Sequence, residues 1–264
     1  GAAMTAALAV GCGGSKGSDS SDKSSDSSSS SDDVITVGFS QVGAESDWRT
    51  ANTESMKSTF SEENGYELIF DDAQQKQENQ LTAIRNFIQQ EVDYILLAPV
   101  TETGWDTVLQ EAKDADIPVI IVDRMVDVSD DSLYTTWIGT DALCEGRKAA
   151  EWLNGFAEAK GIAASDIHIA DIQGTIGSTA QIGRSKGLEE GVDNYGWNLL
   201  AQQSGEFTQA KGQEVMESML KQYDNINVVY CENDNEAFGA IDALKAAGKT
   251  PGKDVTIISF DAIK

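Results

Sequence analysis

From Val34 to Phe260 the chain switches repeatedly between short runs of β-branched residues and stretches of helical period. Strands are expected at 35–39, 66–70, 92–98, 118–122, 133–138, 167–172, 197–202, 227–231 and 255–260. Helices are expected between them at 47–64 (with Gly65 placed to end it), 75–90, 104–115, 142–156, 178–194, 208–223 and 234–247. The helix at 75–90 sets Leu81, Ile84, Phe87 and Ile88 on one stripe, and 104–115 does the same with Trp105, Val108, Leu109 and Ala112. Strands such as Val92 to Ala98 and Pro118 to Val122 are continuously apolar, as strands buried on both faces are. Strands separated by helices of ten or more residues imply parallel sheets with helices on both sides. The expected fold class is therefore α/β. A chain of 264 residues suits two lobes better than one large sheet. The break falls near Gly139-Thr140, giving an amino-terminal lobe over 34–138 and a second over 139–264. The chain ends at Lys264 directly after a strand, with no covering helix. A fragment lacking its carboxyl end is expected.

Charge removes several functions. Acidic residues outnumber basic ones 44 to 19, a net charge of −25. Phosphate-backbone binding rests on clustered Lys and Arg, so no nucleic-acid partner is expected. Docking on an anionic membrane surface is disfavoured for the same reason. A lone histidine, His168, sits inside an expected strand and reads as structural. Cys12, Cys144 and Cys231 are too few for a four-cysteine zinc site. Cys144 and Cys231 fall within periodic segments and read as buried thiols, with a bridge between them left open.

Residues 1–12, GAAMTAALAVGC, are small and apolar but too short to span a bilayer. They read as a signal-peptide remnant ending at Cys12, since Ala9-Val10-Gly11-Cys12 has the form of a bacterial lipoprotein cleavage box with Ala9 where Leu is usual. Cys12 is the expected lipidation site. Residues 13–33, nearly all Ser, Asp, Gly and Lys, have nothing to bury and read as a disordered linker. Together these features suggest an extracytoplasmic protein tethered by a lipid anchor.

Open parallel sheets bind ligands beyond the carboxyl ends of their strands. There the sequence places the Ser40–Arg49 run, Pro99-Val100-Thr101, Asp123-Arg124, Gln173 to Gly177 with Arg184 two turns on, Glu206-Phe207, Glu232-Asn233-Asp234 and Asp261. The set is rich in forked donors and acceptors and includes an indole, Trp48. Carboxylates and guanidinium groups pair with vicinal hydroxyls, and an aromatic ring packs on the C–H face of a sugar. Each residue also has a plainer reading: a surface ion pair for Asp123-Arg124, a core position for Trp48, a helix cap for Asn233-Asp234, a turn for Asp261. Their joint placement at strand ends in both halves favours a binding site.

Enzyme motifs are missing. The Gly177–Ser185 run resembles a phosphate-binding loop but has one residue too many between its glycines and Arg184 where Lys is required. There is no dinucleotide fingerprint, nucleophile elbow or calcium loop. No catalytic residue, cofactor or metal is expected.

The segments VGFSQVGAESDWR, DDAQQKQENQ, LLAPVTETGW, PVIIVDR, IQGTIGS, SGEFTQAKGQEVMESML, ENDNEAFGAI and GKDVTIISFD resemble periplasmic sugar-binding proteins of the ribose/galactose class. The galactofuranose-binding branch, which serves ABC importers, is the most similar, from about Val34 to Asp261. The resemblance implies two Rossmann-like lobes hinged by three crossovers and closing on one monosaccharide. It implies a ligand set of Glu45, Trp48 and Arg49 on the first lobe's wall, Asp123 and Arg124 facing the hydroxyls, and Arg184, Asn233 and Asp261 from the second lobe. It also implies a monomer that works with a membrane permease. Ala262 departs from the family's usual Gly beside Asp261. Two alternatives share the fold: a sugar or autoinducer receptor feeding a sensor kinase, and the effector-binding core of a LacI-type repressor. The latter requires a basic helix-turn-helix where this chain has a Ser/Asp run.

Overall fold

A computed structural model describes residues 34–263. The expected signal remnant, the expected lipidation of Cys12 and the expected 13–33 linker fall outside the described residues.

The first sheet contains β1 (Ile35–Gln41), β2 (Tyr66–Asp72), β3 (Tyr94–Leu97), β4 (Val119–Asp123) and β5 (Thr136–Gly139), in the order β2-β1-β3-β4-β5 with every pair parallel. The intervening helices are α1 (Asp47–Thr59), α2 (Gln77–Gln89) and α3 (Asp106–Asp114). The second sheet contains β6 (His168–Gln173), β7 (Asn198–Ser204), β8 (Val228–Cys231) and β9 (Thr256–Ile258), in the order β7-β6-β8-β9, again all parallel. Its helices are α4 (Ala142–Lys160), α5 (Thr179–Tyr195), α6 (Gln209–Gln222) and α7 (Asp234–Ala246).

Strand alternation sorts the core by face. Ile95, Leu97 and Ile121 pack under α2 and α3, where Trp105 is fully buried and its indole N–H donates to Thr101 O at 2.7 Å. Val37, Phe39 and Leu96 face the other way, towards α1. In the second sheet Ala170, Ile172, Val229 and Cys231 pack against α6 and α7, while Ile169, Val228 and Tyr230 pack against α4 and α5. Both sheets are thus covered on both sides, as their unbroken apolar strands imply.

Some boundaries shift for local reasons. The first helix stops at Thr59 rather than 64; a short 3-10 helix, Glu62–Asn64, follows before Gly65 turns the chain at φ 84. The 133–138 segment joins the sheet only from Thr136, because Asp131–Leu133 forms a 3-10 helix capped by the Asp130 carboxylate. Helix α4 runs past Phe156 to Lys160, where Gly161 supplies the left-handed cap. Cys144 and Cys231 are both free; Cys231 is buried, but Cys144, in the first turn of α4, is only half-buried.

Candidate functional site

The carboxyl ends of both sheets open onto one cavity of about 390 Å³, within the range usual for small-ligand sites. Glu45, Trp48, Arg49, Asp123, Arg124, Arg184, Asn233 and Asp261 all line it. The eight residues singled out from sequence are therefore brought together.

The first-sheet wall is a chain of ion pairs. Ser46 caps α1, its hydroxyl accepting from the Arg49 N–H at 3.1 Å, and so fixes the first helical turn with Glu45 just before it. Arg49 then reaches back to Glu45 Oε1 at 3.0 Å and across to Asp123 Oδ2 at 2.7 Å. Arg124 donates to Glu45 Oε1 at 3.4 Å and to the Val100 carbonyl at 3.0 Å. Asp123 and Arg124 are therefore no surface pair with each other: Asp123 neutralises Arg49, and Arg124 is 3% exposed. Burial and the nearby Arg49 charge bring Arg124 down to about 10, against the pull of Glu45 and Asp123. Burial also works against the Arg49 charge, but Asp123 and Glu45 more than offset it and its pKa is raised. Two atoms in this group, Glu45 Oε2 and Arg49 Nη1, are buried without a hydrogen-bond partner. Trp48 is half-buried and stacks on Arg49, whose guanidinium carbon is 4.9 Å from the ring centroid.

The second-sheet wall centres on Arg184. Its guanidinium binds Glu145 Oε2 at 3.1 Å, the Glu232 carbonyl, and Asp261 Oδ1 at 3.5 Å, and lies 4.7 Å from the Phe260 ring centroid. Burial lifts Asp261 to about 6, with Arg184 opposing the rise. Asp261 and Ala262 both take left-handed backbone, at φ 91 and 51. The alanine thus adopts the turn that a glycine makes without strain. Asp123 is left-handed as well, at φ 64. Strain of this kind is tolerated where the surroundings hold a functional group in place.

Asn233 does cap a helix: its Oδ1 accepts from the Glu236 N–H at 2.8 Å. It also lines the cavity, and its Nδ2 donates to the Phe207 carbonyl at 3.0 Å. Phe207, at φ 62, is held from the other side by Glu236 Oε1, which accepts its N–H at 2.9 Å. Its ring stands over Gly174 so closely that a Cβ there would fall 1.9 Å from Phe207 Cζ. Beneath this wall lies a buried carboxyl group, Glu232, which accepts from the Gly174 N–H at 2.7 Å and from the Ser185 hydroxyl at 2.6 Å. Burial pushes the Glu232 and Glu236 carboxyl groups well up.

The sequence singled out no role for Thr140, Glu145, Phe207 or Phe260, which also line the cavity. Phe207 is among the strand-end residues read from the sequence, since it follows β7, but it is not in the expected ligand set. Glu145 lies in the first turn of α4, soon after the carboxyl end of β5 at Gly139, a strand end from which the sequence reading drew no candidate. Across the cavity, the three arginines Arg49, Arg124 and Arg184 meet four carboxyl groups, Glu45, Asp123, Glu145 and Asp261. Charge is nearly balanced, and the donors and acceptors are forked.

The family described as periplasmic binding protein domain matches residues 37–264. The galactofuranose-binding protein YtfQ of Escherichia coli K12 is 46% identical over 233 residues, covering 87% of this chain and 71% of that protein. Among solved structures, the periplasmic binding protein of the arabinose ABC transporter from Shewanella sp. ANA-3, bound to α- and β-L-arabinofuranose, is 48% identical with a TM-score of 0.81, covering 87% of this chain and 74% of its own. A protein from Mycobacterium smegmatis in complex with β-D-fucofuranose is 48% identical with a TM-score of 0.80, over 85% of this chain and 73% of its own.

Proposed function

The chain belongs to the periplasmic binding protein domain family, and from that premise we propose that it captures a neutral monosaccharide in its furanose form for an ABC importer. The observation that carries the reading is the cavity lined by paired guanidinium and carboxyl groups. Three guanidinium groups and four carboxyl groups from two sheets surround about 390 Å³. These groups are already paired with one another, so a charged ligand would have to displace one of the pairs in a buried site, which is costly. A polyol satisfies both sets, because each hydroxyl donates once and accepts twice. The furanose preference is supported by the relatives: one is named for galactofuranose, and two are solved with arabinofuranose and fucofuranose.

Glu45, Trp48, Arg49, Asp123, Arg124, Arg184, Asn233 and Asp261 form the proposed ligand set. Arg49 and Arg124 are fixed by carboxylates before any ligand arrives, so little side-chain freedom is lost on binding. Binding selects the arrangement in which both lobes, 34–138 and 139–264, touch the sugar, and their hinged closure follows. The closed face is what a membrane permease would read. The lipid tether at Cys12 and a monomeric state belong to the same proposal, the tether resting on the Ala9–Cys12 sequence alone.

Calorimetry with L-arabinose, D-galactose, D-fucose and D-ribose tests the reading. One-to-one binding at micromolar or tighter affinity is expected for at least one sugar. No heat with any of them would count against it.

A further inference from the structure

Outside the cavity, two reciprocal hydrogen-bond pairs join segments that follow the first sheet's strands to helices of the second. Asp47 opens α1, and Asn235 lies in the first turn of α7. The Asp47 N–H donates to Asn235 Oδ1 at 3.1 Å, and Asn235 Nδ2 donates back to Asp47 Oδ2 at 3.4 Å, across 188 positions of chain. On another edge the Met125 N–H donates to Thr179 Oγ1 at 2.7 Å, and that hydroxyl donates back to the Met125 carbonyl at 3.2 Å. A backbone bond from the Glu102 N–H to the Gly177 carbonyl, 2.9 Å, lies beside the second pair. None of these residues lines the cavity.

The placement has a consequence. Asp47 adjoins Trp48, and Met125 follows Arg124, so both pairs are covalently next to the first-sheet wall. Thr179 begins the helix that carries Arg184, and Asn235 follows the cap residue Asn233 by two. These bonds exist only while the two walls face each other. They cannot distinguish one sugar from another, because they touch none.

We propose that Asn235–Asp47 and Thr179–Met125 are a latch that sets the closed fraction of the protein, and through it the affinity for every ligand alike. The inference rests on the reading that the cleft opens and closes on a sugar. When the binding-competent state is only partly populated, the apparent dissociation constant is the intrinsic one divided by the competent fraction. Loss of a hydrogen-bonded pair should therefore weaken binding by roughly fivefold.

The test uses the full chain and the variants Thr179→Val and Asn235→Ala, with Thr179→Ser, which keeps the hydroxyl, as a control. Small-angle scattering without sugar reads the closed fraction. Calorimetry with L-arabinose and with D-galactose reads affinity, and melting curves confirm that each variant folds. The expected result is a larger radius of gyration for Thr179→Val and for Asn235→Ala, and an affinity loss by one common factor, with Thr179→Ser like the parent. Unchanged scattering and affinity, or unequal factors for the two sugars, would overturn the latch. If the parent binds neither sugar, D-fucose and D-ribose take their place, and scattering alone still decides the latch.

Discussion

Arg124 and Phe207 meet across the cavity: the guanidinium carbon at the end of β4 lies 5.2 Å from the centroid of a ring that follows β7. The arginine is committed on its other side to Glu45 and to the Val100 carbonyl. The phenylalanine is committed through its backbone to Glu236 and Asn233. A cation over an aromatic face is worth about 0.5–2 kcal/mol depending on desolvation. Here it joins the two walls at a point that neither sheet could form alone.

Replacing Arg124 with Ala should cost binding more than folding. The substitution removes a forked donor from the cavity and leaves Glu45, whose side chain is 1% exposed, with Arg49 alone. Loss of a hydrogen bond to a charged group amounts to about 1.5–3 kcal/mol. Calorimetry should show sugar affinity reduced by one to two orders of magnitude or more, with the protein still folded by circular dichroism.

Gly174→Ala tests the second wall from behind. The added methyl would collide with Phe207 Cζ, and the Phe207 backbone is pinned on both sides. The ring must leave its place. Overpacking of this kind destabilises by about 1–3 kcal/mol. A lower melting temperature together with at least a tenfold loss of sugar affinity is expected. Unchanged affinity would remove Phe207 from the binding wall.

Stability should fall as pH rises from acid to neutral, and Asp171 should be one cause. It is fully buried on β6, and burial raises it from 3.8 to about 7, with the Gln202 hydrogen bond opposing and Glu189 adding to the rise. Below pH 4 the group is protonated in both folded and unfolded chains. Between pH 4 and 7 the unfolded chain releases the proton while the folded one keeps it, so unfolding is favoured progressively. Asp171→Asn cannot ionise. It should match the parent near pH 4 and exceed it at pH 8 by about 2–4 kcal/mol, as denaturant titrations at the two pH values would show. A remaining slope is expected from Glu232 and Glu236, which shift in the same direction.

The alternation of strand and helix was legible because each element is long and strongly patterned. Val108, Leu109 and Ala112 lie at helical spacing and are all fully buried. Strand-end reasoning placed the runs that contain the candidate residues, because a parallel sheet delivers every strand's carboxyl end to the same edge, and the family resemblance picked the eight from those runs. It could not assign partners. Nothing local says that Arg49 pairs with Asp123, 74 positions away, rather than leaving Asp123 to its neighbour Arg124. Glu145 escaped notice for another reason: it follows the carboxyl end of β5, a strand end from which no candidates were drawn, although the amino end of α4 lies at the cavity. Helix α5, expected at 178–194, is found at Thr179–Tyr195 although it buries Gln181, Arg184 and Ser185 as well as Leu188. The spacing between strands located it, while its polar underside answers to Glu232, a residue that follows β8.

A crystal structure of the protein grown with L-arabinose or D-galactose tests the account most directly. It predicts one furanose ring in the cavity, within hydrogen-bond distance of Arg124 or Asp123 on one side and of Arg184, Asn233 or Asp261 on the other. A sugar held by one wall only, or bound elsewhere with this cavity empty, would contradict it.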